Sequence, residues 1–154
     1  MGFAPTTRGL TWGAVIGALF FCVAINLGFA TEITFDFLID HTARFLVICF
    51  LAPIIEEYVF RGMVMDAVGR RWSWRWPANV GVSISLANLI ATLLFVCLHY
   101  LMRDPLTALL VAFPSLYLGI LREQSGSLLI CIGIHSFWNL CWVLFLQEVP
   151  ALLY

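Results

Sequence analysis

Two adjacent glutamates and an arginine lie inside an apolar run of the sequence. Glu56 and Glu57 occur between Ala43 and Met65, and Arg61 follows Glu57 by four positions. An ionisable side chain at bilayer depth costs at least about 2.5 kcal/mol unless it is paired or hydrated. On a helix, Glu57 and Arg61 share a face and can neutralise each other, whereas Glu56 points about 100° away. This spacing predicts one structural carboxylate and one that can take part in acid–base chemistry.

Two further polar pairs occur on later apolar segments. Phe95 and His99 are four positions apart in one segment, and His135 and Asn139 are four apart in another. A helix places both members of such a pair on one face. Because membrane proteins keep polar groups in the bundle interior, the two imidazoles, the amide and Glu56 could converge there. A plain helix-to-helix hydrogen bond is the alternative for each histidine and for the asparagine.

The composition places these residues in a membrane protein. The chain has 154 residues, of which 62% are hydrophobic and 11% are charged, and its mean hydropathy is +0.99. Crossing about 30 Å of hydrocarbon takes about 20 apolar residues in a helix. We therefore predict an all-α, polytopic membrane helix bundle that forms one domain over residues 1–154, with its functional core at about 43–147. About five spans are expected, at about 10–30, 43–65, 79–102, 105–121 and 127–147. Pro53 and Pro114 predict kinks in the second and fourth.

The charged residues predict an orientation in the bilayer. All eight basic residues are arginines, and the net charge of −1 gives no reason to expect a nucleic-acid partner. By the positive-inside rule, the arginine-rich ends of the spans and the N-terminus are cytoplasmic. These ends carry Arg8, Arg70, Arg71, Arg75 and Arg122. An interfacial aromatic belt against the lipid bilayer is predicted from Trp72, Trp74 and Trp76. The use of arginine alone among the basic residues favours a protein of a bacterial inner (plasma) membrane.

Three motifs occur in a fixed order on successive apolar segments. They are Glu56-Glu57-x-x-x-Arg61, Phe95-x-x-x-His99 and His135-x-x-x-Asn139. Together they resemble the signature motifs of the CAAX-protease and bacteriocin-processing family (CPBP, or Abi) of intramembrane proteases. The resemblance covers the chain from the second predicted span to the fifth. It implies an endopeptidase that hydrolyses a peptide bond of a membrane-anchored protein or peptide.

The resemblance also implies a role for each side chain. Glu56 would be the general base that activates a water, and His99 would help to bind and orient that water. His135 and Asn139 would donate hydrogen bonds to the oxyanion as the carbonyl becomes tetrahedral. The residues that hold this site in place would be Glu57, Arg61 and Phe95.

Involvement of a metal is a separate question within this resemblance. Glu56, His99 and His135 could supply the three protein ligands of a divalent metal such as zinc. The sequence lacks the compact His-Glu-x-x-His helix that usually delivers them, and Asn is a poor zinc ligand. We therefore expect a glutamate-activated water, and we assign no metal or other cofactor.

Two other functions are alternatives. A small proton-coupled exporter would use Glu56 as its proton-carrying carboxylate, but it leaves His135 and Asn139 without a role. A catalytically silent membrane scaffold or immunity protein would keep the fold and use none of these groups. Geometry separates the three, because the protease needs both histidines, Glu56 and Asn139 within a few ångströms of one water.

Overall fold

The structure is a computed structural model that describes residues 12–13, 16–17, 41–77, 83–103 and 105–146. The predicted first span lies outside these residues, apart from four helical positions within 12–17. The described residues are predominantly helical and fall into two compact units. The first unit is Glu56–Cys131, and the second comprises the described parts of Ala4–Ile55 and Ile132–Tyr154.

The segment predicted as the second span is helical and extends past its predicted end at residue 65. Its elements are α1 (Thr42–Leu46), the π-helical turn π1 (Val47–Leu51), α2 (Ala52–Glu57), the π-helical turn π2 (Tyr58–Val64) and α3 (Met65–Arg71). The π1 turn lies directly before Pro53, which has no N–H to donate to the carbonyl four residues earlier. Such π turns are rare in proteins, and those that do occur are often found at functional sites.

The described part of the third predicted span, 79–102, begins with a short strand, and its helix begins at Leu86. Ser83–Ser85 forms a strand (β2), which pairs antiparallel with Arg75–Pro77 (β1) and places Trp76 opposite Ile84. Ser85 then caps helix α4 (Leu86–Tyr100), since its hydroxyl accepts the Asn88 N–H at 3.0 Å. The polar residues on either side of Ile84 have strand periodicity, and the serine cap starts the helix only at Leu86.

The fourth predicted span consists of α5 (Pro105–Leu110) and α6 (Ala112–Ser125), separated by a turn at Val111. Pro114 lacks the N–H that would bond to the Leu110 carbonyl, which explains the break, and the kink itself stays a prediction. In the part of the chain that the structure describes, Pro105–Ser125 is the one helical stretch long and apolar enough to cross a bilayer. Gly126 ends α6 at φ 67°, a left-handed conformation that glycine adopts without steric cost.

The last described helix is α7 (Leu128–Leu146), which lies within the predicted fifth span of 127–147. The apolar helices Leu86–Tyr100 and Leu128–Val143 are shorter than a full span, so the number of spans stays a prediction. In the first unit α4 is central, because it packs against π2, α3, α5 and α6.

Candidate active site

The first motif lies where α2 meets π2, in the first unit. The Glu57 side chain is 0% exposed and that of Arg61 is 1% exposed, and Arg61 Nη1 lies 3.1 Å from Glu57 Oε1. The ion pair predicted from their spacing is confirmed. Glu56, the next residue along the chain, is half-buried. The two neighbouring carboxylates therefore have different surroundings, and the fully buried one, Glu57, forms the ion pair with Arg61.

Arg61 is held by three elements of the first unit. Its Nη2 donates to the Ser115 carbonyl at 2.8 Å and contacts the Ser115 hydroxyl at 2.9 Å. Its guanidinium carbon lies 5.1 Å from the centroid of the Phe95 ring. A buried charge is tolerated only when it is paired and hydrogen-bonded, and the planar guanidinium can meet several partners at once. Arg61 thus links π2 to α6 through Ser115 and to α4 through Phe95.

The second motif lies on α4, next to this cluster. The Phe95 ring packs edge-on against Phe60, with centroids 5.1 Å apart, and lies 4.3 Å from the His99 ring. His99 is half-buried, and its Nδ1 lies 3.0 Å from the Phe95 carbonyl oxygen. Because a carbonyl only accepts, this hydrogen bond places a proton on Nδ1, and Nε2 of the neutral ring is an acceptor. The first two motifs therefore form one packed cluster.

Sequence reasoning missed three polar residues that support Arg61. Asn88 and Ser115 are each 1% exposed, and Thr92 lies between them on the inner side of α4. A signal was present, because Asn88 and Thr92 are polar residues of an apolar helix, four positions apart, and share a face with Phe95.

The third motif belongs to the second unit. His135 is buried at 8% exposure, and Asn139 is half-buried. The Asn139 amide donates from Nδ2 to the Ile48 carbonyl, which lies in π1, at 2.9 Å. The amide nitrogen carries a second N–H. Convergence of this pair with Glu56 and His99 stays a prediction.

A catalytic metal centre needs several donor side chains that lie close together. Within each unit, the described part of the chain contains no group of three His, Cys, Asp or Glu side chains that could hold a metal ion. Of the predicted ligands, Glu56 and His99 lie in the first unit and His135 in the second. A catalytic zinc site takes three protein donors, so the predicted ligand set stays a prediction.

Comparison with known proteins gives one family and one relative. A family model described as Rce1-like, type II CAAX prenyl endopeptidase, matches residues 38–141. An uncharacterized 24.3 kDa protein of Escherichia coli is 32% identical over 96 residues, which cover 62% of this chain and 41% of that protein. The chain thus spans less than half the length of this relative. No solved structure matches the chain significantly.

Proposed function

The chain belongs to the Rce1-like family of type II CAAX prenyl endopeptidases, and from this premise we propose that it is an intramembrane endopeptidase. Its substrate is a membrane-anchored protein or peptide, and the attacking group is a water activated by a glutamate. One observation carries the proposal. The buried Glu57–Arg61 pair lies over Phe95, which packs against His99, so two of the three motifs support each other in one cluster.

Glu56 is the general base in this proposal. It takes a proton from the water while the water oxygen attacks the carbonyl carbon of the scissile peptide bond. The neighbouring Glu57 carboxylate is fully buried in its ion pair with Arg61, whereas the Glu56 side chain is only half-buried. His99 orients the water through Nε2, because the bond from Nδ1 to the Phe95 carbonyl fixes the imidazole.

His135 and Asn139 stabilise the tetrahedral intermediate. Each donates a hydrogen bond to the oxyanion, and loss of one such donor typically lowers the rate about 100- to 1,000-fold. The Ile48 carbonyl holds one N–H of the Asn139 amide and thereby orients the other. When the carbon–nitrogen bond breaks, the proton on Glu56 passes to the leaving amine, and the carboxylate is restored.

In this proposal no step uses a metal ion, because the sequence lacks the compact His-Glu-x-x-His helix that usually delivers zinc ligands, and Asn is a poor zinc ligand. The substrate, the lipid bilayer and water are the partners of the site. We further propose that the protein resides in a bacterial inner membrane, with its N-terminus and the Arg70–Arg75 segment on the cytoplasmic side.

The test uses the full chain in lipid nanodiscs and a library of membrane-anchored peptides, including prenylated C-terminal peptides. Products are mapped by mass spectrometry for the wild type, Glu56→Gln and Asp66→Asn. Asp66→Asn is the matched control, because it also replaces a carboxylate by an amide, at a side chain that is 51% exposed. We expect a new peptide terminus with the wild type and Asp66→Asn, and none with Glu56→Gln.

Two further arms complete this test. A chelator should leave cleavage unchanged. If the chelator abolishes cleavage and added zinc restores it, the proposal that the water is activated without a metal ion is wrong. If the wild type cuts no peptide of the library, or if Glu56→Gln cuts as fast as the wild type, the protease proposal fails. Proton flux that Glu56→Gln abolishes would then favour the exporter.

A further inference from the structure

Three polar side chains of the first unit have no role in the chemistry proposed above. Asn88 and Thr92 lie on α4 and Ser115 lies on α6, and we call these three residues the polar network. Asn88 and Ser115 are each 1% exposed. Polar groups inside a membrane protein are costly unless they are hydrogen-bonded, and a single bond between two helices would suffice for packing.

The polar network forms one continuous chain of hydrogen bonds. Asn88 Nδ2 donates to the Leu116 carbonyl at 3.0 Å, and Thr92 Oγ1 donates to Asn88 Oδ1 at 3.3 Å. Ser115 Oγ donates to Thr92 Oγ1 at 3.3 Å. Each hydroxyl therefore has a defined direction, set from the Asn88 end.

This chain of hydrogen bonds ends at Arg61. With its own proton directed to Thr92, the Ser115 oxygen presents its lone pairs to Arg61 Nη2, which it meets at 2.9 Å. The same Nη2 binds the Ser115 carbonyl at 2.8 Å. A Ser115 hydroxyl that pointed elsewhere would lose this acceptor geometry. The polar network thus holds the guanidinium, which also contacts the Phe95 ring.

The backbone around Asn88 is shaped for this arrangement. A Cβ atom at Gly119 would overlap the Asn88 amide, so this side chain occupies the space beside Gly119. Asn88 is also held at its backbone, because its N–H donates to the Ser85 hydroxyl at 3.0 Å. The first member of the network is therefore constrained from both sides.

We propose that Asn88, Thr92 and Ser115 are positioning residues for the catalytic Glu56 and His99, acting through Arg61. The proposal rests on the protease function and deepens it. Arg61 holds Glu57, which neighbours Glu56, and it lies over Phe95, whose ring and carbonyl both contact His99. A shift of the guanidinium is therefore transmitted to both reacting side chains. A displacement of about 1 Å at a reacting group can lower a rate about 100-fold.

The experiment compares variants that keep or remove a hydroxyl. Thr92→Val removes it at nearly constant volume, whereas Thr92→Ser retains it. Ser115→Ala removes the hydroxyl that accepts from Arg61 and keeps the backbone carbonyl that also does so. Ser125→Ala, on the same helix and outside the network, is the control. With a peptide that the wild type cleaves, we expect Thr92→Val and Ser115→Ala to lower kcat about 10- to 100-fold at unchanged KM. Thr92→Ser and Ser125→Ala should stay within about threefold of the wild type.

A second readout does not depend on cleavage. The chain has 3 histidines, so the imidazole signals of His99 can be assigned by NMR in detergent. We expect Thr92→Val to shift the His99 signals and to leave those of His41 in place. Equal kcat for Thr92→Val and Thr92→Ser, or an unshifted His99, would overturn positioning by the network while leaving the protease intact. A wild type that cleaves nothing would overturn both proposals.

Discussion

At the scale of the residue, Glu56 and Glu57 are identical side chains whose surroundings separate them. Glu57 is fully buried with Arg61 at 3.1 Å, whereas Glu56 is half-buried. The separation follows from helical geometry, because one step along the chain turns a side chain by about 100°. Because Glu57 is held in the ion pair with Arg61, we propose Glu56 as the carboxylate that acts as the base.

Glu57→Ala should destabilise the protein strongly. The substitution leaves the buried Arg61 charge without its carboxylate, and breaking a buried pair in this way costs about 3–5 kcal/mol. We expect this loss in the free energy of unfolding, measured by denaturant titration in detergent.

Glu56→Ala is the matched control for that experiment. Because Glu56 is half-buried and is not the partner of Arg61 in the ion pair, we expect a change of less than about 1 kcal/mol in the free energy of unfolding. Equal destabilisation by the two variants would contradict the division of roles.

The residues of the site were predictable from the sequence only where local spacing determines the contact. The Glu57–Arg61 pair follows from a separation of four positions, and it is confirmed. Ser115 was missed because its contact with Arg61 bridges 54 positions and depends on how α6 packs. Asn139 and its acceptor Ile48 are 91 positions apart, so this hydrogen bond could not be predicted from local spacing either.

At the scale of the element, the close approach of α6 to α4 depends on Gly119. Gly119→Ala would place a Cβ atom within the volume of the Asn88 amide. Overpacking of this kind costs about 1–3 kcal/mol, because helices or side chains must move. We expect a lower midpoint of thermal unfolding in detergent.

The chain offers a control for this glycine. Gly69 lies in α3, and a Cβ atom there would meet nothing within 4 Å. Since alanine favours a helix over glycine by about 1 kcal/mol, Gly69→Ala should leave the midpoint unchanged or raise it. A Gly119→Ala protein as stable as Gly69→Ala would show that the helices do not approach so closely.

The π1 turn of the second unit depends on Asn139. Asn139→Asp removes the N–H that binds the Ile48 carbonyl and brings a carboxylate against that oxygen. Loss of a partner for this part-buried acceptor costs up to about 1–3 kcal/mol, so π1 should open more often. We expect faster hydrogen exchange of the π1 amides, measured by mass spectrometry.

Gln124→Glu is the control for the same chemical change. Its side chain is exposed on α6, and it should leave exchange in π1 at the wild-type rate. If Asn139→Asp exchanged no faster than this control, Asn139 would not stabilise the π turn.

The elements differed in how well the sequence predicted them. Hydropathy predicted the segment that forms α7, because a long apolar run without charged residues is a clear signal in a sequence. The same criterion extended the third span back to residue 79, since it does not distinguish an apolar strand from a helix. The strand Ser83–Ser85 and the Ser85 cap show where the helical period begins.

At the scale of the whole molecule, family membership and the apolar Pro105–Ser125 stretch identify an integral membrane protein. The arginines at the end of α3 and in β1 predict that this segment faces the cytoplasm. Ser73 lies between them and is exposed. We expect a Ser73→Cys protein to react with a membrane-impermeant maleimide in inverted vesicles and not in intact cells.

The wild type, with its 5 native cysteines, gives the background of this labelling. Labelling of Ser73→Cys above that background in intact cells would reverse the orientation.

The central claim is that Glu56 activates the water that cleaves the substrate. It is tested most directly by single-turnover cleavage of one identified membrane-anchored peptide by the wild type and by Glu56→Gln, each in lipid nanodiscs. Glutamine keeps the shape of the side chain and removes the base, so the rate should fall about 100- to 10,000-fold with unchanged thermal unfolding. A Glu56→Gln rate within about threefold of the wild type would contradict the claim.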